Sequence, residues 1–365
     1  MIYLIKNFIL ILIIFLVINI FKEDKKEYFG NFKRDCKSNI PKAIKLVIDK
    51  RNMKNDDSNW DYFLPCSYTN CEQDIIKFKD EKTGKKIFMI DGCDTFASKV
   101  KLWEFIKIKY MDKASEIMPQ TFILKNEEDM NEFKEFYYYK KQENSKCKFI
   151  LKNFKQRQEG LKLVDNLKDI RNGIKDDFKI VQDYLEDPFL ISGRKINIRV
   201  YVLVVCHKGT VGAWIYNDGF IYYTPKEFEK FSMDKDKTIT TGYIDRKVYD
   251  ENPLSTNDLR KMIGKEKSDK LDNSIKTNIN KVIESLSGFI CLHKDLSKHV
   301  RFQIFGADMA PDEELNVKLM EFNKGPDIGF KDDKDGKIKK DMIKDAFDII
   351  EPSGSRRKNN FYRVY

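Results

Sequence analysis

The stretch GRKINIRVYVLVVC (193–206) decides how this chain is read. Side chains alternate across a strand, so Lys195, Asn197 and Arg199 share one face, and Ile196, Ile198, Val200, Val202 and Val204 share the other. A long run rich in β-branched residues with one wholly apolar face reads as a strand against a core. Two cations on its opposite face call for anionic partners close by. The competing reading is the solvated face of an edge strand.

Further on, RFQIFGADM (301–309) and VKLMEFN (317–323) read as two strands joined by the charged turn PDEELN. Glu321 and Asn323 share a strand face. If position 308 lies opposite 319 or 321, Asp308 joins them. Two carboxylates and an amide oxygen on one face repel unless a cation sits between them. Hard oxygen ligands in small number suit Mg2+, which takes its remaining ligands from water and phosphates; the alternative is a pair of solvated acids. Upstream, strand CKFILK (147–152) ends in Lys152 and is followed by NFKQRQEG (153–160), a polar loop able to embrace phosphates through a point charge and backbone amides. No GxxxxGK[ST] loop occurs in the chain. Phosphate-binding cations beside metal-binding carboxylates are what ATP–Mg2+ chemistry requires.

The rest of the composition fits this reading. The 365 residues carry 68 Lys+Arg against 58 Asp+Glu, a formal charge of +10, with 41% hydrophobic and 13% aromatic residues. That excludes a disordered polyelectrolyte. The basic excess favours acidic partners, but nucleic-acid binding has only charge in its favour, with no zinc finger and no RNP-like aromatic motif. With three histidines and no CxxC pair among seven cysteines, neither a zinc site nor histidine catalysis has much to draw on. The odd cysteine count points to free thiols in a reducing compartment. Apolar runs alternate with charged stretches. Helices are expected over 96–111, over 127–139 and through most of 254–292, a packing helix over 339–350, and a basic terminus or a final docking strand in SRRKNNFYRVY. Strands interspersed with helices give an α+β or α/β architecture.

The order and spacing of these elements resemble the tubulin–tyrosine ligase-like family of ATP-grasp enzymes. The resemblance is carried by FILKNFKQRQEGLKL (149–163), VQDYLEDPFLISGRKINIRVYVLV (181–204) and FGADMAPDEELNVKLMEFNKGPDI (305–328), and it spans about 60 to 330. It implies an ATP-grasp fold, two α+β subdomains around the nucleotide. It also implies a ligase that activates a protein carboxylate as an acylphosphate and joins an amino acid to it, with ATP and Mg2+ as cofactors. By that resemblance Lys152 contacts the phosphates, and Gln182, Tyr184 and Leu185 line the adenine pocket, partly through backbone groups. Lys195 and Arg199 address the triphosphate and the reacting carboxylate, with Asn197 between them. Asp308, Glu321 and Asn323 are the magnesium ligands, and Lys99 is a further nucleotide contact. The chain departs from the family pattern at Asn197, where an aspartate is usual, and at Asn153, usually proline. It departs again around NDGFIYY (217–223), where Tyr222 stands near a family arginine, and at ITTG, which leaves Thr241 and Gly242 of a longer element. The last two regions bear on acceptor and amino-acid choice. They also leave open a non-catalytic descendant that holds acidic tails or membrane.

At the other end, IYLIKNFILILIIFLVINIF (2–21) is about the length of a ~30 Å hydrocarbon core, interrupted early by Lys6; Phe8 to Ile18 is apolar on every face and not on one stripe, which counts against a buried core helix. Lysines at 22, 25, 26, 33 and 37 and Arg34 follow it, so the positive-inside rule places the body on the cytoplasmic side. A cleaved signal peptide is the rival, but no small-x-small site follows. The expected organisation is a transmembrane anchor (1–21), a linker and small N-terminal domain (22–93), a central ATP-grasp subdomain (94–190), a C-terminal one (191–335), and a helix with basic tail (336–365). The expected partners are a protein with an acidic tail, tubulin among them, an amino-acid co-substrate and the membrane.

Overall fold

The structure, a computed structural model, describes residues 30–154, 160–351 and 358–365. Its strands are β1 (Phe32–Lys33), β2 (Tyr62–Phe63), β3 (Lys86–Ile87), β4 (Thr121–Ile123), β5 (Phe149–Lys152), β6 (Leu161–Val164) and β7 (Ile180–Asp183). They continue as β8 (Leu190–Ile191), β9 (Arg194–His207), β10 (Thr210–Tyr223), β11 (Val300–Pro311), β12 (Val317–Asn323) and β13 (Phe361–Arg363). A large sheet runs β1-β2-β3-β11-β9-β10-β13, with β12 paired to β11 and β8 to β9; a smaller antiparallel sheet runs β4-β7-β5-β6. The class is mixed α+β, consistent with an ATP-grasp arrangement.

β9 is the middle of the large sheet, antiparallel to β10 on one side and β11 on the other, which removes the edge-strand reading. Its even face packs as expected: Ile196, Ile198, Val200, Val202 and Val204 are buried with Ile275, Ile279, Val282, Ile283 and Leu286 of the helix Lys265–Leu286. Its odd face is divided. Lys195, Asn197 and Arg199 open onto a cavity. Tyr201 and Leu203 lie in the core under Met342, Ile343 and Phe347 of the helix Asp333–Ile350. Burying each such aliphatic or aromatic side chain contributes about 1.5–3 kcal/mol, so the apolar half fixes the strand and the polar half is held in place by it.

Several elements differ from the sequence reading. The helix expected over 96–111 is two, Cys93–Ala97 and Lys99–Tyr110, because Ser98 is extended and its side chain accepts from the Lys101 amide at 3.3 Å as an N-cap. The helical stretch 254–292 is likewise broken at Gly264, whose φ is +80°. β10 was not anticipated: NDG reads as a turn, but the structure carries it as a bulge between Ile215 and Gly219 that re-aims the strand. A Cβ at Gly219 would lie 2.1 Å from the Arg199 carbonyl oxygen, so only glycine fits this close approach to β9.

Two expectations are corrected outright. Among the described residues no helix is long and apolar enough to cross a membrane, so a single-pass membrane protein with a cytoplasmic body is not supported. The segment 2–21 on which that expectation rested lies outside the described residues. The longest described helix, Lys265–Leu286, buries one stripe and is charged elsewhere. Nor are all thiols free. Cys36–Cys66 and Cys206–Cys291 are disulfides, with Cα separations of 6.2 and 5.9 Å, while Cys71, Cys93 and Cys147 are unpaired and buried. These pairs are 30 and 85 residues apart, so they follow from tertiary packing and not from local spacing.

Candidate functional site

Between the two sheets lies a cavity of about 680 Å³. The larger sheet contributes a row of side chains. The register sets Arg199 opposite Asp308 across β9 and β11, and Asp308 opposite Glu321 across β11 and β12. The Arg199 guanidinium holds both carboxylate oxygens of Asp308, Nε to Oδ1 at 2.5 Å and Nη2 to Oδ2 at 3.0 Å. Lys99, at the start of its helix, reaches Glu321 at 3.3 Å, and the Asn323 amide meets the other Glu321 oxygen at 3.4 Å. Two carboxylates and a carboxamide thus converge, a donor set of hard oxygens that fits Mg2+.

Burial shapes the electrostatics. It opposes charge on Arg199, but Asp308 and, less, Tyr222 keep that guanidinium firmly protonated. It would raise Glu321, yet Lys99, Lys152 and Arg199 hold the carboxylate below its ordinary range. Lys152, at the end of β5, is brought down to about 8 chiefly by burial, with Glu321 opposing. Lys195 is brought down to about 7 by burial and then by its neighbour Lys148. Its ammonium donates to the Leu185 carbonyl at 3.3 Å and stands 4.0 Å from the Tyr184 ring centroid. Among the described residues neither lysine makes an ion pair, and a buried cation of this kind gains from meeting an anion.

The structure brings Lys99, Lys152, Tyr184, Leu185, Lys195, Asn197, Arg199, Asp308, Glu321 and Asn323 to the wall of this one cavity. It does not bring Gln182, whose fully buried side chain donates instead to Thr121 Oγ1 at 2.7 Å between β4 and β7. Of the loop 153–160, residues 155–159 lie outside the described residues. Asn197 lines the cavity with its Oδ1 buried and without a hydrogen-bond partner among the described residues.

Ile150 and Ile239 were not foreseen. With Tyr184 they form an apolar wall. Tyr184 is fixed by its hydroxyl, which donates to the Thr238 carbonyl at 2.6 Å; Ile239, a lone apolar residue in a polar stretch, was the available signal. Lys331 donates to the Gly242 carbonyl at 2.9 Å and Arg246 pairs with Asp332, joining the loops 239–246 and 324–332. The lining thus combines an apolar wall, a charged row and residues of these two loops.

A sequence profile described as "Tubulin-tyrosine ligase family" matches residues 76–360. Among curated relatives, "Probable tubulin polyglutamylase TTLL9" of Mus musculus is 26% identical over 47% of this chain and 38% of its own length. "Tubulin polyglutamylase ttll6" of Danio rerio is 25% identical over 80% of this chain and 39% of its own length. "Tubulin polyglutamylase TTLL7" of Xenopus tropicalis is 29% identical over 52% and 24%. The chain thus spans about two fifths or less of these relatives.

Proposed function

The chain belongs to the tubulin-tyrosine ligase family, and on that premise we propose that it is an ATP- and Mg2+-dependent ligase joining an amino acid to a carboxylate of a protein. The observation that carries the reading is the Arg199–Asp308–Glu321 row, in a cavity that also has an apolar wall of Ile150, Tyr184 and Ile239. In this reading the subdomains 94–190 and 191–335 flank the nucleotide. Bound Mg2+–ATP would supply the phosphoryl group that turns an unreactive carboxylate into an acylphosphate open to attack by an amine.

The chain's own residues would bind and orient. Ile150, Tyr184, Leu185 and Ile239 would enclose the base and exclude water. Lys152 and Lys195, buried and in no ion pair among the described residues, would gain most by meeting phosphates. Asp308, Glu321 and Asn323 would hold the metal. Arg199 would meet charge developing on the phosphoryl oxygens and hold the acceptor carboxylate in line, an electrostatic and positional role. No covalent nucleophile from the protein is required. Since the relatives are named tubulin polyglutamylases, tubulin and glutamate are the first acceptor and donor to try.

The test is mass spectrometry of tubulin, and of lysate proteins, after incubation with the intact chain, Mg2+–ATP and isotopically labelled Glu, Gly and Tyr. An ATP-dependent mass increment lost in Glu321→Gln is expected. No increment on any protein with any of the three would sink the ligase reading, and Mg2+–ATP binding without turnover would point to the binding module.

A further inference from the structure

The charged row contains a contact that works against the function just proposed. A metal ligand must offer free oxygens, yet both oxygens of Asp308 are taken by Arg199 at 2.5 and 3.0 Å, and both oxygens of Glu321 are engaged by Lys99 and Asn323. The Arg199 and Asp308 side chains are each only 12% exposed, so solvent screens their pairing weakly. Around these two carboxylates stand three cations, Lys99, Lys152 and Arg199. A divalent ion arriving alone would meet a surplus of positive charge and find its ligands occupied. A triphosphate reverses that sign and offers Arg199 another anion.

The backbone is shaped for this arrangement. Gly306, two residues before Asp308 on β11, lies beneath the arginine stem: a Cβ there would be 3.0 Å from Arg199 Cδ, 3.2 Å from Nε and 3.1 Å from Pro326 Cβ. The missing side chain is what lets the guanidinium lie along the strand and reach Asp308. On its other side the guanidinium carbon is 5.1 Å from the Tyr222 ring centroid, an aromatic face that stabilises a cation.

We propose that Arg199 is a latch on the metal site, closing Asp308 until nucleotide phosphates draw the guanidinium away, so that metal enters with the nucleotide and not before it. The latch rests on the reading of Asp308, Glu321 and Asn323 as metal ligands. Arg199 then has two successive partners, Asp308 in the unloaded protein and an anionic oxygen in the loaded one. An idle site held this way does not collect stray divalent ions.

The test is Mn2+ titration of the intact chain with and without a non-hydrolysable ATP analogue, read as Mn2+ retained with the protein after equilibrium dialysis, by paramagnetic resonance of the two compartments. The wild type should take up Mn2+ tightly only with the analogue. Arg199→Gln should bind Mn2+ alone at least about tenfold more tightly than wild type, since a unit charge has left the carboxylate's side, and adding Asp308→Asn should remove the gain. Gly306→Ala displaces the guanidinium without deleting it and should shift affinity the same way, which keeps the proposal testable if Arg199→Gln does not fold. Unchanged Mn2+ affinity in both variants, with the analogue still promoting uptake by wild type, overturns the latch and leaves the ligand assignment standing. Wild type that takes up no Mn2+ even with the analogue overturns the ligand assignment and the latch together.

Discussion

Burial brings the Lys195 ammonium down to about 7, against about 10.4 in an unfolded chain. Between those values the unfolded state binds more protons, so the unliganded protein gains stability as pH rises from 7 towards 10; the burial penalty is felt in full only below about 7. Nucleotide affinity should move the opposite way. Phosphates favour the charged amine, so binding above pH 7 takes up protons and weakens as pH rises. Calorimetry at pH 8 in buffers of different ionisation enthalpy would show it, and an absence of proton uptake would place Lys195 away from the phosphates. Replacing Arg199 by alanine removes a donor aimed at developing charge and should lower turnover by about 10²–10³, read in a single-turnover assay. Alternation along 195–199 made Lys195, Asn197 and Arg199 legible as a set. The Lys99–Glu321 contact was not, because it joins residues from separate elements that only the folded sheet brings together.

The elements carry predictions of their own. Ser98 caps the helix that opens with Lys99. A lysine in a helix's first turn is disfavoured by the macrodipole, and here it is held by Glu321. Ser98→Ala should cost about 1 kcal/mol in chemical denaturation, and should weaken nucleotide binding if Lys99 loses its aim. Gly219→Ala places a methyl 2.1 Å from the Arg199 carbonyl oxygen. Backbone cannot yield there as a side-chain tip can, so a loss of about 1–3 kcal/mol or more in the same measurement is expected. β9, β11 and β12 could be read from their apolar periodicity, and the Asp308–Glu321 pairing from the assumption of a hairpin. β10 could not, because its bulge breaks the two-residue period at the point where NDG imitates a turn. Gln182 was assigned by resemblance alone, and its side chain is taken up instead by its cross-strand neighbour Thr121 on β4, a pairing that only the folded sheet creates.

At the scale of the molecule, the cavity is a property of neither sheet alone, since Ile150 and Lys152 come from one and Lys195, Arg199 and Glu321 from the other. Ligand that bridges them should stabilise the whole. Saturating Mg2+–ATP at about 100 times its Kd adds about 2.7 kcal/mol, visible as a rise in thermal midpoint, and Lys152→Ala should remove most of it. A midpoint indifferent to millimolar Mg2+–ATP would argue against a nucleotide site. The divided odd face of β9 has one more consequence, for how this chain can vary by descent. Cavity-facing Arg199 and core-facing Tyr201 and Leu203 ride on one uninterrupted strand. Losing or gaining a single residue between them would turn every later side chain to the wrong face. Changes of length should therefore accumulate in its turns and be absent from 195–206, leaving point substitutions such as those at 197 and 222 as the open route by which its chemistry can drift.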